Sequence, residues 1–429
     1  MRNMAILVLA SLTLVFTACG NQGVNDSLPS DLKTQALLAT PGSLDSSFGT
    51  GGLAITEGQY SAGLVVQGDG KALVLNGSGF RNLAAMSANL TRLNQNGQPD
   101  PSFGSSGVIQ LVGRVGAVAL VCPNGANAYN DWGASCEDPE RAVIAVNAVT
   151  NGIGALKVYR FLPSGQPDLS FGQNGVAIAP SSWYSQVVSI AIQADGKILV
   201  AGWLFDIGGH GFVARLKRNG TPDSTFGNGG LTLLPSLLNV TKMVLPQSEY
   251  PVVLAMNDDG QANVFRLTDQ GLPDPQFGIN GVVTLNFGLN GFASALLALD
   301  DGRLIVGGSG ALWKLRTNGT PDSSFGVNGQ AVFSNLWISD LTLDDQNRLI
   351  AGVSTLAGPG EGTIARFRSN GTLDPNFGIG GLAHVLIDVV IDGSANINRV
   401  AVQRNGRILG VSNPIYHRTS TVKIARLMP

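Results

Sequence analysis

The chain is 429 residues long, with 57 Gly, 20 Pro, 44% hydrophobic residues and 13% charged ones. That is too little charge for a disordered chain and enough apolar content for several domains or one large repetitive domain. Lys and Arg number 27 against 29 Asp and Glu, a formal net charge of −2, so no basic reserve exists to neutralise phosphates and nucleic acid is excluded as a partner.

Residues 1–18 carry Arg2, an apolar run from Ala5 to Phe16, and the small residues Thr17 and Ala18 directly before Cys19. This pattern predicts a secretory signal, too short to span a bilayer as a stable helix. The stretch Phe16-Thr17-Ala18-Cys19 resembles a bacterial lipobox, in which the cysteine is lipid-modified and becomes the new N-terminus; Phe16 departs from the usual aliphatic residue. The resemblance implies an exported lipoprotein, periplasmic or on the cell surface, held to the membrane through Cys19. Residues 19–41 then read as a lipid-anchored flexible tether.

With Cys19 assigned to lipid, Cys122 and Cys136 remain as a pair, and an exported location favours a disulfide between them. The segment they bracket, with Pro123, Asn124 and Gly125, reads as a long surface loop. A redox or metal role is the alternative, although the spacing is not C-x-x-C.

The pattern G-x-x-D-x-x-F-G-x-x-G occurs seven times, centred on Phe48, Phe103, Phe171, Phe226, Phe277, Phe325 and Phe377. The spacing is 48 to 55 residues except for one interval of 68, the one that contains Cys122 and Cys136. Within a unit, Val187–Gln193 and Lys197–Ala201 read as strands around Asp195-Gly196, and Phe212–Leu216 as a third. Asp-Gly supplies the positive φ that a tight hairpin needs, and it recurs at Asp69-Gly70 and Asp301-Gly302, with Asn405-Gly406 as a variant. A fourth run follows the Phe-Gly pair, as in Gly175–Ala179. The strands are apolar at nearly every position, so both faces of each small sheet must be covered. The fold class this predicts is all-β: a seven-bladed β-propeller of four-stranded blades over residues 42–429.

Eight residues before six of the motif aspartates stands a basic residue: Arg92 before Asp100, Arg160 before Asp168, Arg215 before Asp223, Arg266 before Asp274, Lys314 before Asp322 and Arg366 before Asp374. Asp45 has none, whereas Arg426 near the C-terminus has no aspartate after it. The expectation is that Asp45 and Arg426 complete one another, with the N-terminal strand closing the ring on the C-terminal one. Solvent-exposed pairs of this kind would set register more than stability. The motif phenylalanines are expected to plug the seams between blades, and the aspartates to form Asx-turns.

The run Leu44-Asp45-Ser46-Ser47-Phe48-Gly49-Thr50-Gly51-Gly52 and its six echoes resemble the delta-60 repeat, a propeller-type repeat of exported bacterial proteins. The resemblance implies a propeller and supplies no catalytic residues. Two hairpins depart from it, Gln247-Ser248-Glu249-Tyr250-Pro251 in unit four and Asp345-Gln346-Asn347 in unit six.

No G-x-S-x-G elbow, H-E-x-x-H, P-loop or dinucleotide fingerprint is present, and His210, His384 and His417 lack partners at metal-ligand spacing, so neither a metal nor a cofactor is expected. The variable loops between units offer Trp183, Tyr184, Trp203, Asp206, His210, Phe287, Trp337, Tyr416 and His417 as candidate contacts for an envelope protein or a glycan. The expected function is therefore non-catalytic recognition or assembly at the bacterial envelope. A funnel-sited quinone-dependent oxidoreductase or lyase is the enzymatic alternative, and a passive surface protein the structural one.

Overall fold

Runs of aliphatic and β-branched residues separated by positive-φ turns can only meander back and forth, and the chain does so throughout. The computed structural model describes residues 40–78, 86–121, 140–150, 153–180, 185–205, 209–236, 238–257, 259–288, 291–355, 361–386, 395–414 and 421–429. Among these there is no helix, hence none long and apolar enough to cross a membrane.

Strand β1 is Leu53–Glu57, and the first sheet follows it as β2 (Tyr60–Val66), β3 (Ala72–Ser78), β4 (Ser87–Leu93) and β5 (Val108–Val112). The second is β6 (Arg114–Val121), β7 (Arg141–Thr150), β8 (Ile153–Phe161) and β9 (Val176–Ile178). The third is β10 (Ser185–Ile192), β11 (Ile198–Leu204), β12 (His210–Leu216) and β13 (Leu231–Ser236). The fourth is β14 (Leu238–Val244), β15 (Val252–Asn257), β16 (Ala262–Arg266) and β17 (Val282–Leu285). A six-stranded sheet comprises β18 (Ala293–Ala298), β19 (Leu304–Leu315), β20 (Gln330–Leu343), β21 (Leu349–Thr355), β22 (Glu361–Phe367) and β23 (Leu382–Leu386). The last sheet joins β24 (Ala395–Val402), β25 (Ile408–Pro414) and β26 (Thr421–Leu427) to β1, with Leu53 opposite Ala425 and Glu57 opposite Thr421.

The hydrogen-bonded sheets among the described residues thus number six, five of four strands and one of six, where the seven repeats predict seven. The cause is β20. Its first residues, Gln330 to Val332, pair with β19, and Leu336 to Leu343 pair with β21. One unbroken strand therefore serves as the outer strand of one repeat and the inner strand of the next.

Hairpin tips adopt the left-handed conformation the Asp-Gly pairs call for, with φ of 83° at Gly70 and 82° at Gly196. Where the glycine is missing the same conformation is kept by Glu249 (φ 61°) and Asn347 (φ 56°), so the two departures in sequence leave the turn intact.

Apolar side chains on both faces of each sheet are consumed by the neighbouring sheets. The Ala72–Gly77 stretch of β3 is buried at every residue. Leu199 and Val213 pack with Val240 and Val253 between the third and fourth sheets, and Val411 and Val422 pack with Ala72 and Val74 between the last and the first. Each fully buried Phe or Leu contributes about 1.5–3 kcal/mol. The core is thus a series of inter-sheet layers around a central cavity.

Candidate functional site

The motif builds one cluster at each junction. Asp168 Oδ1 accepts from the Ser170 N–H (3.1 Å) and hydroxyl (2.6 Å), and Oδ2 takes Arg160 Nε at 2.7 Å. The Arg160 guanidinium lies 4.6 Å over the Phe171 ring, and its Nη1 donates to the Arg218 carbonyl of the next unit at 2.7 Å. Gly172 N–H donates to the neighbouring Asn219 carbonyl (2.8 Å). One arginine therefore satisfies its own unit's aspartate, stacks on its phenylalanine and bonds across the seam.

The same atoms meet at the other motif copies. Arg–Asp separations are 2.9 Å for Arg92–Asp100, 2.9 Å for Arg215–Asp223, 2.7 Å for Arg266–Asp274 and 2.8 Å for Arg366–Asp374. Lys314 is looser, 3.9 Å from Asp322 and 5.8 Å from the Phe325 ring. Arg426 reaches Asp45 at 2.9 Å, stacks over Phe48 at 4.6 Å and donates to the Gln95 carbonyl. Apart from half-buried Arg266 these basic side chains and their aspartates are buried, not exposed as the sequence argument allowed for when it assigned them little energy. Packing also explains the first motif glycine: a Cβ on Gly97 would stand 2.8 Å from the Gly49 nitrogen and 3.0 Å from the Phe48 ring of the preceding unit.

Sequence reasoning missed a second cation. Lys71 lies 3.1 Å from Asp100, Arg141 3.1 Å from Asp168 and Arg303 2.9 Å from Asp322, and Arg407 bonds Asp45. The signal was present, since Lys71, Arg303 and Arg407 each directly follow a hairpin glycine. Burial alone would raise the carboxyls of Asp45 and Asp100. The Ser47 and Ser102 hydroxyls and N–H groups, with the cations, outweigh it and hold both at about 2. At Asp322 the Ser324 hydroxyl is the largest influence, and with Arg303 and Lys314 it brings that carboxyl to about 2 as well. Carboxylates so committed do not suit a metal, and no group of three metal-ligating side chains occurs among the described residues.

The inner strands β2, β6, β10, β14, β18, β20 and β24 line a central cavity of about 500 Å³. Every one of them carries a register shift, as at Val240/Lys242, Ile338/Asp340 and Ile397/Arg399. Lys242, Asp340 and Arg399 stand directly after these shifts in a wall whose other charged residues are Glu140, Asp300 and Arg404. Lys242 Nζ reaches Asp340 Oδ1 at 3.0 Å from a strand two repeats away, and Asp340 Oδ2 accepts from Val400 N–H at 3.1 Å. Arg399 Nε donates to the Ala62 carbonyl (3.2 Å) and Nη1 to the Asn398 carbonyl (2.6 Å). These bonds brace the channel wall, with each Asp340 oxygen engaged once.

Of the loop candidates, Trp337 is 44% exposed and lies 5.9 Å from Phe292, an aromatic the sequence reading did not select. Trp203 is half-buried and packs 4.3 Å from Phe205, and His210 is half-buried at the start of β12. Phe287 differs from expectation: it is buried among Met256, Ala293 and Leu296, which leaves it no face for a ligand. Cys19, Cys122, Cys136, Trp183, Tyr184, Asp206, Tyr416 and His417 lie outside the described residues, so the lipidation, the disulfide and those contacts have no structural account.

Small antiparallel sheets stacked around a lined central cavity, joined by one repeated junction, define a β-propeller. In agreement, the family described as a domain of unknown function (DUF5122) beta-propeller matches residues 193–226, 299–325 and 347–377. Each matched stretch ends on a motif phenylalanine, Phe226, Phe325 or Phe377. No curated protein sequence matches the chain. Among solved structures, the extracellular domain of a hybrid two-component system from B. thetaiotaomicron is 13% identical, covering 86% of this chain and 38% of that one, with a TM-score of 0.44. The extracellular domain of a one-component system from the same organism is 12% identical over 87% and 40%, with a TM-score of 0.45. Raptor from Chaetomium thermophilum is 11% identical over 88% and 28%, with a TM-score of 0.50. The chain spans less than half the length of each of these, and the likeness is one of fold.

Proposed function

We propose that the chain is an exported, lipid-anchored, non-catalytic propeller of seven blades that recognises a protein or glycan of the bacterial envelope. The blade count rests on reading the six-stranded sheet as two blades that share β20. Closure of the ring is supported by the β1–β26 ladder and by bonds from the C-terminal repeat to the first: Asn398 Nδ2 to the Ser61 carbonyl (2.8 Å), Gln403 Nε2 to the Gly70 carbonyl (2.7 Å) and Gly378 N–H to the Pro41 carbonyl (2.9 Å).

The observation that carries recognition is the partly exposed Phe292–Trp337 pair. Trp337 lies within β20, paired on both sides, and Phe292 directly precedes β18, so the geometry is fixed before any ligand arrives, and a rigid aromatic platform suits a sugar ring or an apolar peptide side chain. The motif residues meanwhile are spent on buried junctions, which removes the repeated acids and bases from catalytic duty. The test is binding of the full-length protein to a glycan panel and to solubilised envelope proteins, beside a Phe292→Ala, Trp337→Ala variant. Retained melting temperature with lost binding supports the reading, and unchanged binding removes the platform from it. Incorporation of labelled palmitate that disappears in Cys19→Ser tests the anchor.

A further inference from the structure

The seven motif copies are not chemically equal at one exposed position, the residue that follows the Phe-Gly pair. It is Thr50, Ser105, Gln173 and Asn228 in four units, all polar and exposed. In the three consecutive units that follow it is Ile279, Val327 and Ile379, at 81%, 76% and 83% exposure. Backbone geometry does not require this, because the polar residues occupy the same turn before the outer strand. Three large aliphatic side chains held almost fully in water at adjacent positions form an unpartnered arc on the rim of the motif face.

The seam hydrogen bonds fix what lies between them. Gly278 N–H donates to the Asn318 carbonyl, which seats Ile279 beside the turn that begins with Arg316. Gly326 N–H donates to the Asn370 carbonyl, which seats Val327 beside the turn that begins with Arg368. Both arginines are exposed. Gly378 N–H then donates to the Pro41 carbonyl, so Ile379 stands beside the point where the segment running back to Cys19 leaves the ring. Along the rim the order is therefore aliphatic, cationic, aliphatic, cationic, aliphatic, tether.

We infer that this arc is a bilayer-docking surface, with Ile279, Val327 and Ile379 entering the interfacial region and Arg316 and Arg368 meeting lipid phosphates. The inference rests on the proposed lipid anchor at Cys19. At the dimensions of a random-coil linker the proposed tether of residues 20–40 has a root-mean-square reach of about 25 Å, so the anchor raises the effective concentration of lipid at the arc without dictating orientation. Three aliphatic side chains and two cations are too few for lasting membrane binding alone and enough to choose which face of a tethered body rests on the surface. Docking by this arc turns the motif face toward the lipid and leaves the opposite face, with Phe292 and Trp337, open to the envelope.

The test uses the processed full-length protein in vesicles of phosphatidylethanolamine and phosphatidylglycerol that contain a phospholipid with a photoactivatable diazirine in its acyl tail. Mass spectrometry after illumination reads where the tail inserts. The expected result is label on the segments around Ile279, Val327 and Ile379 and none on those around Thr50, Ser105, Gln173 and Asn228. In an Ile279→Ser, Val327→Ser, Ile379→Ser variant, whose substituted side chains are solvent-facing and leave the core intact, the label is lost while the protein stays on the vesicles. Label that is absent from the three segments, or equal across all seven, overturns the docking surface. Intact mass of the same sample reports the lipid on Cys19 separately: unlipidated protein that still labels at the three segments keeps the arc and removes the anchor.

Discussion

Two junctions of the same propeller were assembled from opposite relations in sequence. At Asp168 the aspartate and its arginine lie on one continuous stretch, Arg160 eight residues earlier; at Asp45 the arginine is Arg426, 381 residues away. The distances hardly differ, 2.7 Å against 2.9 Å from Nε to Oδ2, with the guanidinium 4.6 Å over the phenylalanine in both. Each aspartate also gains a second cation, Arg141 in one and Arg407 in the other. The geometry of the junction is therefore a property of the motif and of the strands that carry it, and chain connectivity is incidental.

Acid should loosen together the junctions whose carboxyls are held low. The folded carboxyl values of Asp45, Asp100 and Asp322 stand at about 2 against an ordinary 3.8. A depressed value means stability that is complete above the unfolded value and is lost as pH falls through the folded one. Cooperative unfolding between about pH 4 and pH 2, followed by circular dichroism, is expected; a fold unchanged at pH 2 would sink the idea that these carboxylates hold the seams.

Single junctions come next. Asp45→Ala and Asp168→Ala each leave a buried arginine without its counter-ion, and each should cost about 3–5 kcal/mol in chemical denaturation. If continuity mattered, the Asp45 change would be much the larger. A double-mutant cycle on Asp45 and Arg426 should then return a coupling of about 1–3 kcal/mol, and simple additivity would separate the two termini energetically. The smallest effect is expected at the loosest junction. Lys314→Arg restores a fork able to reach Asp322 and the Ser369 carbonyl together, as its counterparts do, and a gain of about 0.5–1 kcal/mol should appear as a raised melting temperature.

Much of this was readable in the chain. Asp-Gly tips, the eight-residue offset from base to aspartate and the repeat interval all report local geometry, and local geometry is what a sequence encodes most directly. The second cation was written beside the hairpin glycine yet had no visible partner, because its aspartate lies across a sheet. Lys242, Asp340 and Arg399 gave no signal at all: they sit in three different repeats, and only the stacking of the inner strands brings Lys242 to Asp340 and Asp340 to the backbone beside Arg399. Phe287 was misjudged for the related reason that a loop aromatic and a seam aromatic look alike until the neighbouring sheet is in place.

The sequence by itself determined the repeat, the strands, the turns and the pairing of six aspartates with the basic residue eight positions earlier, since all of these follow from backbone preference and short-range spacing. Only the tertiary structure decided that the arginines bridge successive units, that β20 fuses two repeats into one sheet, and that Ile279, Val327 and Ile379 stand exposed in three consecutive units. Those are relations between neighbours in space, and a one-dimensional pattern cannot express them until the sheets are stacked.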